Sequence, residues 1–156
     1  MTELIAAMAA NSEAVLSTVT KLALRLCNAG STGISLLEEP PDGEAVFRWA
    51  ALAGAFESFV GGHTPKNWSP CGLCLQHGEP VLLSYPGRVF TYFEAAQPAI
   101  VEGLVVPISY AGEDLGTLWI VSHTEQRKFD HEDVRIMSNL ANATAVALHM
   151  QRSRNS

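Results

Sequence analysis

Residues 101–123 read VEGLVVPISYAGEDLGTLWIVSH, and the way this stretch is read decides the fold. Two apolar runs rich in β-branched residues, Leu104–Tyr110 and Leu115–Ser122, flank the polar break Ala111-Gly112-Glu113-Asp114, whose glycine takes φ > 0 at no steric cost. The pattern predicts a β-hairpin. Neither strand alternates between apolar and polar residues, because Leu104, Val105, Val106 and Ile108 run together, as do Leu118, Trp119, Ile120 and Val121. Both faces of the hairpin therefore need cover, which helices must supply. Pro107 lacks an N–H and is expected at a sheet edge or a bulge.

Outward from the hairpin, the C-terminal side opens a long helix. Asp130 is its N-cap candidate, Asp133 stands at the third helical position, and Phe129 with Val134 can form a hydrophobic staple. Two apolar stripes run along this helix. Val134, Met137, Ala141 and Leu148 form one; Ile136, Leu140, Ala143, Ala147 and Met150 form the other, more than one sheet contact requires. On the N-terminal side, residues Thr2 to Asn28 contain no Pro or Gly and place Leu4, Met8, Val15, Val19, Leu22 and Leu26 on one helical stripe, with Asn28 or Gly30 available as a left-handed cap. A second hairpin follows, Thr32–Leu37 and Ala45–Leu52, around the turn-rich Glu38-Glu39-Pro40-Pro41-Asp42-Gly43. Between the hairpins, Ala53 to Gln97 is broken by Gly and Pro; Ser69-Pro70 predicts an N-cap and first turn for a helix to about His77, and Val81–Ser84 a single strand.

The 156 residues suffice for one domain, since a chain of about 150 residues buries roughly 70% of its unfolded surface. A formal charge of −6, with no basic run longer than Arg127-Lys128, gives nucleic acid no attractive field. No uncharged apolar run approaches the ~20 residues needed to span a bilayer, and Glu3 stands where a leader would carry basic residues. Three cysteines cannot all pair within one chain, which fits a reducing compartment. A cytoplasmic protein is expected, bound neither to nucleic acid nor to membrane.

Helix, hairpin, irregular middle with one strand, hairpin and helix give an α+β fold, an antiparallel sheet with helices on it. This order resembles a GAF domain, as do Val106-Pro107-Ile108, the Leu115-Gly116-Thr117-Leu118 that opens the last strand, and Phe129-Asp130 with its Ala-rich helix. The match runs from about Ala14 to Leu148, and Thr64 to Gly72 (TPKNWSPCG) is similar to GAF modules attached to bacterial sensor histidine kinases. The resemblance implies long terminal helices on one sheet face, short helices and loops on the other, and a sensory role for a small molecule or chromophore. It also implies that the irregular middle walls a ligand pocket.

Within that middle, Cys71 and Cys74 share a helix face. A helix N-terminus would lower the Cys71 pKa and favour a reactive thiol, whereas two small buried hydrophobes are the structural alternative. Adding His77 yields three candidate zinc ligands without a nearby fourth, so no metal is expected. Trp68, Tyr92 and Phe93 are candidate aromatic walls, Arg88 a candidate anion clamp or a solvated loop charge, and His123 beside Ser122 occupies a position that faces the chromophore in phytochrome-like relatives. Strand parity places Val106, Ile108, Leu118, Ile120 and Ser122 on the pocket side. Covalent bilin attachment is not expected, because Cys71 is followed by Gly72 and Cys74 by Leu75, where bilin-binding relatives usually carry histidine. The relative that reduces free methionine-R-sulfoxide resembles the chain at Cys71-Gly72 but carries a further cysteine where this chain has Ala99-Ile100-Val101-Glu102.

The resulting expectation is a non-catalytic sensory domain with an unidentified small-molecule ligand or a redox-sensing thiol. It would signal to a histidine kinase or other output module and form a homodimer through residues 2 to 26 and 134 to 150. The alternatives are a methionine-R-sulfoxide reductase using Cys71 and Cys74, and a dimerisation module without ligand.

Overall fold

A computed structural model of the chain describes residues 12–154. In chain order it contains helix α1 (Ser12–Leu26), strands β1 (Ser31–Glu38), β2 (Val46–Gly54) and β3 (His63–Pro65), helix α2 (Pro70–His77), strands β4 (Val81–Ser84), β5 (Glu102–Tyr110) and β6 (Glu113–Ser122), and helix α3 (His131–Arg154). Single 3-10 turns lie at Glu57–Phe59, Pro86–Arg88 and Thr91–Phe93. The six strands form one antiparallel sheet in the order β3-β2-β1-β6-β5-β4. The expected α+β architecture, with long helices on one face and short elements on the other, is therefore present.

The β5–β6 hairpin turns tighter than its sequence suggests. Tyr110 pairs directly with Glu113, so only Ala111 (φ 49°) and Gly112 (φ 82°) form the turn. Two left-handed residues in a two-residue loop match the right-handed twist of the strands. Ala111 bears a steric cost of about 1 kcal/mol in that conformation. Replacing it with asparagine, which tolerates the left-handed region, is expected to raise stability by about 0.5–1 kcal/mol, read as a higher urea midpoint at unchanged slope. Pro107 lies beyond Val105, the last β5 residue paired with β4, and next to the irregularity at Ile108/Ser109. Its missing N–H thus falls on an open edge.

Asn28 ends α1 in a left-handed conformation (φ 48°). Ser69 caps α2 by accepting a 3.0 Å bond from the Gly72 N–H, with Pro70 in the first turn. At α3, Asp130 Oδ1 accepts from the Glu132 and Asp133 N–H groups, while Asp133 Oδ2 accepts from the Asp130 N–H at 2.9 Å. That is a reciprocal capping box. Arg127 joins the two helices, donating to the Cys27 and Asn28 carbonyls at the end of α1 and to Asp133 at the start of α3.

The larger core lies between α1, α3 and one sheet face, where Ile34, Leu104, Val106, Ile108, Leu118 and Ile120 are buried. This reverses the parity read from sequence: Val106, Ile108, Leu118 and Ile120 pack under the terminal helices and away from the irregular middle. Ser122 also lies outside the opposite face's cavity, its hydroxyl donating to the Thr124 carbonyl. Both faces of β5 and β6 are apolar, so alternation alone carried no sign of which face the helices would take.

The α3 stripes differ from expectation too. Leu140 and Ala147 are buried, and Ile136 and Ala143 are half-buried against the same core; only Met150 is substantially exposed, at 45%. The helix meets α1 as well as the sheet, and contact on two sides covers a wider arc than one sheet face alone. Val15, Val19 and Leu22 of α1 are buried as expected, Leu26 is half-exposed, and Leu4 and Met8 lie outside the described residues.

Candidate functional site

The opposite sheet face carries a smaller core of Phe47, Phe56, Cys71, Cys74, Val105, Trp119 and Val121. Trp119 of β6 lies over Gly33 of β1. A Cβ at Gly33 would stand 2.3 Å from the indole ring, so only glycine lets the ring lie there. The indole N–H donates to Ser35 Oγ at 2.9 Å. A neighbouring β6 residue, Thr117, donates its hydroxyl to Cys71 Sγ, which fixes the first turn of α2 on the sheet. Gly72 allows the Lys66 carbonyl to approach, since a Cβ there would be 1.9 Å from that oxygen.

Beside this anchored helix, the chain leaves a cavity of about 290 Å³ between the sheet and the segment from Phe56 to Ile100. Trp49, Phe56, Phe59, Tyr92, Phe93 and Trp119 supply aromatic walls, and Gly103, Val105 and Val121 the rest of the floor. Among the described residues, no Asp, Glu, Lys, Arg or His lines it. Of the residues singled out in the sequence, Cys71, Tyr92 and Phe93 come together here. Tyr92 donates its hydroxyl to the Trp68 carbonyl at 2.8 Å, and the two rings meet edge-on. Trp68 itself, 47% exposed, lines an adjoining groove. Arg88 stands over the Tyr85 ring, outside the cavity.

His123 forms one end of the site without lining the cavity. Its Nδ1 bonds to the Ala99 carbonyl at 2.9 Å and its Nε2 to Ser31 Oγ at 2.8 Å, and its ring meets Phe56 edge-on. A carbonyl only accepts, so Nδ1 carries a proton, while Nε2 shares its hydrogen bond with the Ser31 hydroxyl, which can donate or accept. Ser31 Oγ in turn accepts from the Phe56 N–H. Histidine thus ties the loop before β5 to the end of β2, and Gly30 leaves room for its ring.

The thiols follow the reading of Cys71 and Cys74 as small buried hydrophobes rather than that of a reactive thiol. Burial pushes the Cys71 pKa up, against the hydrogen bonds from Thr117 and Ser35 that pull it down. Cys74 is pushed up to about 12 by burial and the neighbouring Cys71 charge, and its Sγ donates to the Glu79 and Val105 carbonyls. Burial, with Asp133 nearby, likewise raises Cys27 to about 12. Among the described residues no cluster of metal-ligating side chains occurs, and all three cysteines are free.

A pH dependence follows from these thiols. An acid whose folded pKa exceeds its unfolded value, about 8.5 for cysteine, stabilises the fold fully below that value and progressively less as pH rises toward 12. Urea midpoints are expected to fall from pH 8 to pH 10.5, with a shallower fall for Cys27→Ala. Identical slopes for the two proteins would contradict this account.

Trp49, Phe56, Phe59, Thr64, Gly103, Val105, Trp119 and Val121 were not singled out from sequence. The glycine at 103 and the lone large aromatic at 119, on alternate positions to the aliphatic set, were the available signal that this face is the irregular one.

Comparison with known proteins supports the fold. A sequence profile described as GAF domain matches residues 9–149. No curated protein sequence matches the chain. Among solved structures, the GAF domain of an Acinetobacter phosphoenolpyruvate-protein phosphotransferase is 16% identical with TM-score 0.81, covering 96% of this chain and 90% of that one. The GAF-B domain of DevS from Mycobacterium smegmatis is 22% identical, TM-score 0.73, covering 93% and 98%. Free methionine-R-sulfoxide reductase from Neisseria meningitidis, solved with its substrate, is 17% identical, TM-score 0.73, covering 97% and 87%.

Proposed function

The chain belongs to the GAF domain family, and we propose that it is a non-catalytic sensory domain whose ligand is a small uncharged aromatic molecule held in the cavity under Phe56–Ile100. The observation that carries this reading is the wall itself: six aromatic side chains and no ionisable acid or base other than Cys71 and Tyr92, both kept protonated by burial. A cavity of about 150 Å³ holds benzene, so about 290 Å³ suits one or two fused rings. A zwitterion such as methionine sulfoxide, or a cyclic nucleotide, would bring charge into a site that offers no countercharge. Cys74, the only candidate resolving thiol near Cys71, makes no part of the cavity wall, which weighs against reductase chemistry.

Occupancy would reach the terminal helices through β5 and β6. Their alternate residues face the cavity (Val105, Trp119) and the helices (Val106, Leu118), and Glu102, next to cavity residue Gly103, accepts a 2.6 Å bond from the Phe129 N–H at the entrance to α3. The helices would pass the change to an output module such as a histidine kinase, or to a second copy of the chain; the exposed Val146 and Met150 of α3 offer apolar contact for either.

Titration calorimetry with toluene, indole and naphthalene, against free methionine-R-sulfoxide and cyclic GMP, tests the ligand class. Binding of the uncharged aromatics, with quenching of the Trp49 and Trp119 fluorescence, is expected. Binding of methionine sulfoxide with none of the aromatics would overturn it.

A further inference from the structure

One cavity residue does not fit a purely apolar site. Thr64 of β3 pairs with Phe47 of β2, whose side chain is buried in the core on this sheet face, and Thr64 lines the same cavity. Its side chain is enclosed, with only 4% of the residue exposed. Among the described residues nothing donates to or accepts from its hydroxyl. Among the described residues no fully buried side-chain N or O atom lacks a partner, so the hydroxyl oxygen keeps some accessible surface, beside the cavity that Thr64 lines. A threonine enclosed among aromatic rings with its hydroxyl unpaired is costly, by the desolvation of a polar group without a compensating hydrogen bond. Valine has the same shape and would avoid that cost.

We infer that Thr64 is the polar anchor of the ligand site and that the ligand is an aromatic alcohol or carbonyl compound whose single oxygen pairs with the Thr64 hydroxyl. This deepens the reading of the cavity as an aromatic-ligand site and rests on it. A hydroxyl both donates and accepts, so it serves a phenol, which gives a proton, and an aryl ketone or aldehyde, which takes one. Three polar groups of the wall are already committed: Tyr92 Oη donates to the Trp68 carbonyl, Cys71 Sγ accepts from Thr117, and the Trp119 N–H is held by Ser35; the Trp49 indole N–H, also on the wall, can donate but not accept. Thr64 is the remaining hydroxyl, and it sits on a strand, where its position is fixed. An unpaired hydroxyl in such a wall gives selectivity, because a ligand without the matching oxygen leaves it desolvated and unpaired.

The test compares naphthalene with 2-naphthol on wild type, Thr64→Val and Thr64→Ser, with thermal unfolding as the check on folding. Wild type is expected to bind 2-naphthol about five- to tenfold more tightly than naphthalene. In Thr64→Val the preference should vanish through loss of 2-naphthol affinity, naphthalene binding as well as before, and Thr64→Ser should restore part of it. Equal wild-type affinity for the two compounds, or a preference that survives in Thr64→Val, overturns the inference while leaving the aromatic site standing. Binding of neither compound overturns both. Should Thr64→Val fold poorly, the Thr64→Ser protein and the wild-type preference decide the matter.

Discussion

Gly103→Phe is expected to abolish binding of one- and two-ring aromatics, by at least about a hundredfold, in a protein that remains folded. Gly103 is a β5 residue on the cavity face, opposite Val121. A Cβ there would meet Val121 Cγ1 at 3.6 Å and the Ile120 carbonyl at 3.9 Å, both ordinary contact distances. A Cβ is therefore accommodated, and because Gly103 lines the cavity, a phenyl ring there is expected to occupy the space proposed for the ligand. The strand should also benefit, because glycine in a strand costs about 0.5–1 kcal/mol and buried aromatic area contributes roughly 25 cal/mol per Å². An unchanged or raised melting temperature with lost binding is the expected pair of results. A folded variant that binds as wild type does would show that the ligand lies elsewhere, and an unfolded one that the space beside β5 is not free. The contrast is Gly116→Val, whose Cβ would sit 2.1 Å from the Ser35 carbonyl and force β1 and β6 apart.

Leu140→Ala is expected to lower stability by about 2–5 kcal/mol, the range for a large-to-small change in a core that collapses only partly. Leu140 is 3% exposed within the helix-side core, so its loss should appear in a urea melt of the isolated chain at any protein concentration. Were Leu140 instead the centre of a contact between two copies, the effect would depend on protein concentration and fade on dilution. Val146→Ala on the exposed side of the same helix should change stability by less than about 0.5 kcal/mol. A Leu140→Ala protein as stable as wild type would show that this stripe is not core.

These two variants mark where the chain could be read and where it could not. Local chemistry was legible: Ser69-Pro70 starting α2, Asp130 and Asp133 closing a capping box on α3, and Pro107 at an open stretch of β5 all follow from single residues and their immediate neighbours. So was the order of strands and helices, because turn residues punctuate it and hydrophobic period separates the two kinds of element, except for the three-residue β3, which is too short to carry a period and was not expected. The β5–β6 turn was placed correctly but read too long, since Glu113 and Asp114 are polar residues at an exposed strand start rather than loop.

Three matters were decided only by tertiary structure. The sheet face taken by the terminal helices could not be read from β5 and β6, because a strand apolar on both sides has no alternation to orient it, and one residue of parity moves every side chain to the other face. The second stripe of α3 read as surface in need of a partner because the sequence does not tell that α1 lies alongside and covers a second arc. Cys71 stands at a helix start, a local feature that lowers a thiol pKa; its burial under Trp119 and Thr117 raises the pKa instead, and burial is a property of chain segments far apart in sequence. The same holds for Thr64: its hydroxyl is unremarked among the polar residues around it until β3 places the residue on an aromatic cavity where, among the described residues, nothing pairs with it. What the sequence by itself determined is what neighbouring residues determine; what only the tertiary structure decided is which of two chemically similar faces turned inward, because that depends on the sum of distant contacts.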